Sequence, residues 1–585
     1  MNDNPFSSDW LRGGREHRRR PQGGASYVVG GTDDPLKFMT IPQLLDRAVQ
    51  RYGGRDAVIF APTGERLSWE GLRRRSDEIA AGLLALGIGK GDRVGIWAPN
   101  CIEWLLVQLG TARIGAILVN INPAYRTSEL EHALHRTGCR ALVMAAAHKA
   151  SNYVEMIESL APEVRTASDR DVLRLRRFPH LERLILIGGG KRPAGMIAFQ
   201  DLVKLSGPAH KNRLAAICAS LDPDDAINIQ FTSGTTGLPK GATLSHFNIV
   251  NNARHTAKAM ALSERDRLCI PVPLYHCFGM VLGVLACAAE GTAMVFPGAS
   301  FEAEETLRAV QEQRCTALHG VPTMFIAMLE HAEFKRFDLG SLRTGIMAGA
   351  PCPTETMRRV IAEMHMSEIT IAYGMTETSP VSFQSDVDDT LERRVSTVGR
   401  IFPHLEVKII DESGQVVPVG KRGELCTRGY SVMLGYWEDP QATQAAIDSA
   451  GWMHTGDLAT LDAEGYCNIV GRVKDMLIRG GENVFPREIE EFLYSHPKVM
   501  EAQVFGIPDP RLGEEVCAWI VLKPGMRATE EDIREYCRGQ IAHYKVPRLV
   551  RIVNELPKTV TGKAQKFAMR AAMMRELGLT ETKTA

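Results

Sequence analysis

The chain carries no surplus of charge of either sign: 69 Lys+Arg stand against 69 Asp+Glu in 585 residues. With no net field, electrostatics selects neither nucleic acid nor an anionic membrane as a partner. Paired cysteines are also missing. Twelve cysteines are scattered from Cys101 to Cys537 without one C-x-x-C, which argues against structural zinc and a disulfide framework and suits a reducing compartment. No internal repeat is evident, and no clean membrane span either. From Leu268 to Ala289 there are 22 residues without Asp, Glu, Lys or Arg, enough to cross a bilayer. Pro271, Pro273 and Gly279 nevertheless break the first half, and His276 sits near the middle. Only Met280 to Ala289 is uninterrupted, so a buried strand, a turn and a core helix are expected, with no transmembrane segment.

The N-terminus lacks the apolar run and cleavage pattern of a secretory signal. Arg12, Arg15 and Arg18 to Arg20 are diluted by Asp3, Asp9 and Glu16, and residues 1–26 are expected to be a disordered polar tail. The last residues, Lys583-Thr584-Ala585, are not a peroxisomal ending. A cytoplasmic protein is the expectation, with the mitochondrial matrix or a peripheral membrane position as alternatives.

What is there begins with length, which is too great for one core. Strand-like apolar runs alternate with helical stretches, as in Arg93 to Pro99 followed by CIEWLLVQLGTARIGA, and Ala141 to Ala146 followed by a polar helical segment. That alternation implies an α/β sheet system. Between Val398 and Ile469 short strands separated by Gly, Pro and Asp suggest a small β-barrel. A compact α+β pattern of ordinary domain size follows. The expected boundary falls at Arg472 to Asp475, dividing residues 27–471 from 472–585.

Between Phe231 and His246 the chain reads FTSGTTGLPKGATLSH. Hydroxyls at Thr232, Ser233, Thr235 and Thr236 sit among Gly234, Gly237 and Gly241, with one cation at Lys240. Glycines let backbone N–H groups approach an anion closely, hydroxyls add short donors, and lysine adds a point charge. Such a cluster is otherwise a common surface loop. Here Ala226 to Phe231 alternates like a strand entering it, and Ser245 is placed to cap a helix starting near Phe247. The combination predicts a polyphosphate cradle. It is not a Walker A loop, because Gly241 rather than Ser or Thr follows Lys240.

From about Tyr27 to about Leu577 the sequence resembles the adenylate-forming superfamily, and within it the medium-chain acyl-CoA ligases, through stretches such as VNINPAYRTSELE, INIQFTSGTTG, PLYHCFG and IRGGENVFPREIE. The resemblance implies a fold of two α/β sheet subdomains plus the small barrel, followed by a mobile C-terminal lid. It also implies ATP, Mg²⁺, CoA and a fatty acid as the small molecules, and no nucleic acid; a homodimer is left open. A carboxylate is a poor electrophile, so it first displaces pyrophosphate from ATP, and the acyl group of the resulting adenylate then passes to a thiol with release of AMP.

The same resemblance implies the roles. Tyr373, Gly374, Met375, Thr376 and Glu377 correspond to the second nucleotide motif, with Tyr373 against adenine, Thr376 at the α-phosphate and Glu377 on Mg²⁺ together with Thr235. Gly349, Ala350 and Pro351 border the adenine. In Gly451-Trp452-Met453-His454-Thr455-Gly456-Asp457 the aspartate takes both ribose hydroxyls, with Arg472 beside it. Lys563, in Leu556 to Lys563, bridges the acid and the α-phosphate. Lys474 is the hinge about which a face bearing Gly480 and Gly481 replaces the lysine, although Gly480-Gly481 also reads as a hairpin turn. His276 is a candidate beside the carboxylate, with a satisfied core histidine as the alternative. Gly374 leaves room for a longer acyl chain, and Val321, Met324, Phe325 and Met347 are candidate pocket walls, with ordinary core residues as the equal alternative. A carrier-loading domain, a luciferase-like oxygenase and an inactive nucleotide sensor are the competing readings. The presence of Lys240, Glu377, Asp457, Arg472 and Lys563 argues against the last.

Overall fold

The computed structural model describes the chain except residues 1–19, 22, 170, 190–192, 233–238, 351, 481, 560–563 and 580–585. Among the described residues, an eight-stranded and a nine-stranded sheet form the larger part. In the eight-stranded sheet Arg93–Trp97, Ile117–Asn120 and Ala226–Thr232 lie side by side in parallel, and Lys240–Ser245 and Gly435–Tyr436 then extend the edge antiparallel. In the nine-stranded sheet the parallel neighbours Ala317–Gly320, Thr344–Ala348 and Glu368–Gly374 end close to one another. Helices such as Ile102–Arg113 cover the sheets, and a continuous core of buried apolar side chains joins both. Ile117–Asn120, Ala317–Gly320 and Thr344–Ala348 are buried at every position, as strands covered on two faces are.

The charge-free stretch behaves as expected. Arg267–Cys269 is a buried parallel strand, and after a turn a π-helix, Phe278–Leu285, leads into the short helix Ala286–Glu290. Among the described residues no helix is long and apolar enough to cross a membrane.

The region read as a small barrel is a five-stranded antiparallel sheet. It includes Leu405–Ile410, Gly423–Gly429, Met453–Leu461 and Cys467–Arg472. Its outer strand is Tyr27–Val29, which pairs with Glu406 to Lys408. Cys467–Arg472 is followed by a 3-10 turn, Val473–Asp475, and then by Leu477–Arg479, the opening strand of a separate five-stranded sheet. That last sheet has its own apolar core around Val504, Ala518 and Ile520. None of the twelve cysteines forms a disulfide.

Candidate active site

The strands on either side of the FTSGTTG segment, Ala226–Thr232 and Lys240–Ser245, pair antiparallel. Phe231 pairs with Gly241 and Thr232 with Lys240, so the strand entering the loop and the strand leaving it are fixed in register. Ser245 is the expected cap, accepting from Asn248 N, and the helix His246–Ala259 starts one residue before Phe247. Ser233, Gly234, Thr235, Thr236 and Gly237 lie outside the described residues; Thr232 and Lys240 flank them.

The entering strand is anchored from below by buried amides that the sequence did not single out. Gln230 Nε2 donates to Asn228 Oδ1 at 2.8 Å, Asn228 Nδ2 to Asn120 Oδ1 at 3.0 Å, and Asn120 Nδ2 to Tyr275 O at 2.9 Å. Fully satisfied buried networks of this kind hold one geometry. The chain of bonds ends at the residue before His276. His276 is half-buried, and its Nδ1 accepts from Phe278 N at 3.2 Å, so part of its polar capacity serves the turn into the π-helix.

Beside the hairpin, the exposed Lys240 places its Nζ 5.1 Å from the centre of the Tyr436 ring, within cation–π range. Tyr436 OH donates to Glu377 Oε1 at 2.8 Å. Burial and the neighbouring Glu377 charge push the Tyr436 phenol up from its ordinary pKa, so it stays a donor. Glu377 is buried in the 3-10 turn Thr376–Thr378, and its backbone carbonyl accepts from Met433 N at 2.9 Å. Tyr436 escaped the sequence reading because its strand is only two residues long and shows no periodicity.

Tyr373 stands at the other side of the same turn. Its hydroxyl donates to Asp457 Oδ2 at 2.6 Å, and Arg472 Nε donates to Asp457 Oδ1 at 3.0 Å. Asp457 and Arg472 are cross-strand partners. A bulge in Met453–Leu461 turns the carboxylate toward Tyr373, with Asp457 N bonded to Thr455 Oγ1 at 3.1 Å. Asp457 is only 6 % exposed. Burial and the Asp457 charge push the Tyr373 phenol well up. Arg472 is shifted upward too, because attraction to Asp457 and Asp475 outweighs its desolvation. Three sequence-derived residues thus form one cluster around a single carboxylate.

Gly349 follows the strand Thr344–Ala348 with φ +86°, a left-handed turn that suits glycine. Ala350 lies across a cleft from Lys558 and Ala564. These two residues form the base of a small antiparallel bridge, and Lys558 Nζ is held by Glu501 at 2.7 Å. Residues 560–563 between them, including Lys563, lie outside the described residues, as do Pro351 and Gly481. Lys474 is exposed in the 3-10 turn between the two sheets. Gly480 has φ +60° and donates its N–H to Leu512 O at 2.8 Å. It turns the hairpin between Leu477–Arg479 and Glu482–Val484, which is the hairpin alternative the sequence left open.

Two expectations about the acyl pocket change in meaning. A Cβ on Gly374 would lie 1.7 Å from Pro380 O, so the close backbone approach alone demands glycine there. Val321, Met324, Phe325 and Met347 are all buried in the main apolar core.

The fold and the comparisons with known proteins together define an AMP-binding enzyme. The chain matches the AMP-binding enzyme family over residues 45–437 and the AMP-binding enzyme C-terminal domain over residues 488–563; it belongs to that family. YngI of Bacillus subtilis (strain 168), assigned by name to the acyl-CoA synthetases, is 48% identical over 94% of this chain and 99% of its own. The mitochondrial medium-chain acyl-CoA ligase ACSF2 of Danio rerio is 46% identical over 95% of this chain and 91% of its own. Among solved structures, the anthranilate CoA ligase AuaEII in complex with anthranoyl-AMP superposes with a TM-score of 0.83 at 28% identity, covering 94% of this chain and 99% of that one. ATP-bound MatB from Rhodopseudomonas palustris gives 0.78 and apo MatB 0.68, each at 28% identity over 92% of this chain and all of theirs. The chain thus superposes better on the ATP-bound structure than on the apo one.

Proposed function

We propose that this chain is an AMP-forming acyl-CoA ligase that joins a medium-chain fatty acid to CoA at the expense of ATP. The observation that carries the proposal is the convergence of Tyr373 and Arg472 on the Asp457 carboxylate, one turn away from the Glu377–Tyr436–Lys240 group. An ionised carboxylate has about four lone-pair sites. Tyr373 and Arg472 occupy one on each oxygen, which leaves acceptor capacity for the two donors of a ribose diol. The Tyr373 ring then provides a flat apolar surface for the base, next to the Gly349–Ala350 turn.

Displacing pyrophosphate gathers negative charge on phosphoryl oxygens, and fixed cations and donors lower that barrier. Lys240 and the hydroxyls of the hairpin meet the β- and γ-phosphates, Thr376 the α-phosphate, and Lys563 the reacting carboxylate and α-phosphate. Mg²⁺ fits the donor set, because such an ion commonly takes one or two carboxylates beside phosphates. Glu377 would hold it with Thr235, Tyr436 fixes the orientation of the Glu377 carboxylate, and the bound ion would neutralise phosphate charge. In the second step the CoA thiol loses its proton to solvent and attacks the acyl carbon, the acyl C–O bond breaks, and AMP leaves with that oxygen and the electron pair. Rotation at Lys474 would withdraw Lys563 and present the Gly480 turn. His276 is proposed at the acid's carboxylate. The medium-chain assignment draws on the ACSF2 likeness and not on Gly374.

The testing experiment is acid-dependent pyrophosphate exchange over a panel of straight-chain, branched and aromatic acids, followed by CoA addition and detection of acyl-CoA and AMP. Exchange and thioester formation that peak for straight chains of intermediate length support the proposal. Exchange without thioester formation for every acid would reject it.

A further inference from the structure

Among the described residues one group combines three different metal-ligating side chains: Glu424, Cys426 and His454. Cys426 lies directly opposite His454 across the antiparallel pair Gly423–Gly429 and Met453–Leu461. Glu424, two residues before Cys426, shares its face of the strand. Cys426 Sγ is 3.6 Å from His454 Nδ1, His454 Nδ1 is 3.1 Å from Glu424 Oε2, and all three ligand atoms lie within 4.8 Å of one another. A tetrahedral ion with a metal–sulfur bond of about 2.3 Å and metal–nitrogen or –oxygen bonds of about 2.0–2.2 Å sets its ligands roughly 3.3–3.6 Å apart. The two separations that involve His454 are already near that spacing, and the third is within 4.8 Å.

The surroundings add a second indication. His454 Nε2 faces Asp448 Oδ2 at 3.9 Å, and a carboxylate behind the outer nitrogen is the usual partner of a ligating imidazole. Glu424 Oε1 accepts from Gly456 N at 3.2 Å, which fixes that carboxylate. Cys426 is buried beside Trp452 and Ile410, while Glu424 and His454 reach solvent, so the fourth position faces water.

We propose that Glu424, Cys426 and His454 form a binding site for a thiophilic divalent cation of the zinc class, separate from the magnesium position at the phosphates. Sulfur and imidazole ligands discriminate against Mg²⁺. On binding, the Cys426 thiol releases its proton to solvent and its sulfur pair forms the bond to the metal. The chain lacks paired cysteines, and this site needs only one. Because Gly456 leads directly into Asp457, a bound ion would also brace the segment that presents the ribose carboxylate.

The full-length chain, stripped with a chelator, is titrated with zinc chloride and in parallel with cobalt chloride. The expected result is one ion per chain, retained against excess Mg²⁺, with a zinc X-ray absorption shell containing one sulfur and a thiolate-to-cobalt charge-transfer band. Cys426→Ser is expected to abolish the band and the stoichiometric zinc. A zinc shell without sulfur, or Cys426→Ser binding zinc as the unaltered chain does, overturns the proposal. Should that variant fail to fold, the spectra of the unaltered chain decide alone.

Discussion

Asp457→Asn isolates the cluster at the centre of the proposed nucleotide site. The substitution keeps the shape of the side chain but replaces one acceptor oxygen with an NH₂ donor. Tyr373 OH at 2.6 Å and Arg472 Nε at 3.0 Å both approach as donors, so one of them then meets another donor, and one ribose hydroxyl loses its acceptor. A hydrogen bond to a charged group contributes about 1.5–3 kcal/mol. Losing one at the ribose therefore corresponds to roughly 10- to 150-fold in affinity for ATP. The stability cost is expected to be smaller, about 1 kcal/mol, because the Arg472 side chain is 40% exposed and water screens its unpaired charge. The assay is the KM for ATP with acid and CoA saturating, together with a thermal melt. A rise in the ATP KM within that range, with the acid KM held within about twofold, is expected. An unchanged ATP KM, or an increase confined to the acid, would refute the reasoning.

Four further outcomes are expected. Lys563→Ala slows pyrophosphate exchange by a factor on the order of 10²–10³, yet spares thioester formation from a supplied acyl adenylate; equal loss of both would remove the division of labour. Lys474→Pro locks one arrangement and alters the ratio of the two half-reactions, and unchanged rates in both would count against the hinge. Gly374→Ala forces the Pro380 backbone to move and costs about 1–3 kcal/mol in urea unfolding, without shifting acyl-chain preference; a shift toward shorter acids at unchanged stability would show that the residue gates the pocket. Burial holds His246 and His255 down to about 3 and His319 down to about 4, all below the ordinary histidine value. The unfolded chain therefore takes up protons that the folded chain refuses. Stability is full above about pH 6.5 and falls as pH drops toward 4, by at most about 1.4 kcal/mol per pH unit for each histidine. Urea midpoints that stay level from pH 7 to pH 5 would contradict this.

Contiguous features were legible in the sequence. The strand into the glycine-rich loop, the Ser245 cap and the broken apolar stretch after Leu268 are all set by neighbouring residues, and they appear where local pattern puts them. Asp457, Tyr373 and Arg472 were legible as separate motif positions. Their joining was not, because Tyr373 and Asp457 are 84 residues apart and no local pattern reports that contact. Distance along the chain likewise hid the pairing of Tyr27–Val29 with Glu406 to Lys408. Gly374 shows the opposite difficulty. Its residue type was noticed, but the cause lies in the Pro380 carbonyl folding back on it, which composition cannot disclose. Tyr436 gave no signal at all, since its contribution comes from the side-by-side placement of Lys240–Ser245 and Gly435–Tyr436.

The most direct measurement follows oxygen. A fatty acid labelled with ¹⁸O in both carboxylate positions is converted by the enzyme with ATP, Mg²⁺ and CoA, and the products are weighed by mass spectrometry. Attack of the carboxylate on the α-phosphate, followed by thiol attack at carbon, leaves one labelled oxygen in AMP and none in pyrophosphate. Unlabelled AMP, or ADP accompanied by labelled orthophosphate, would contradict the account.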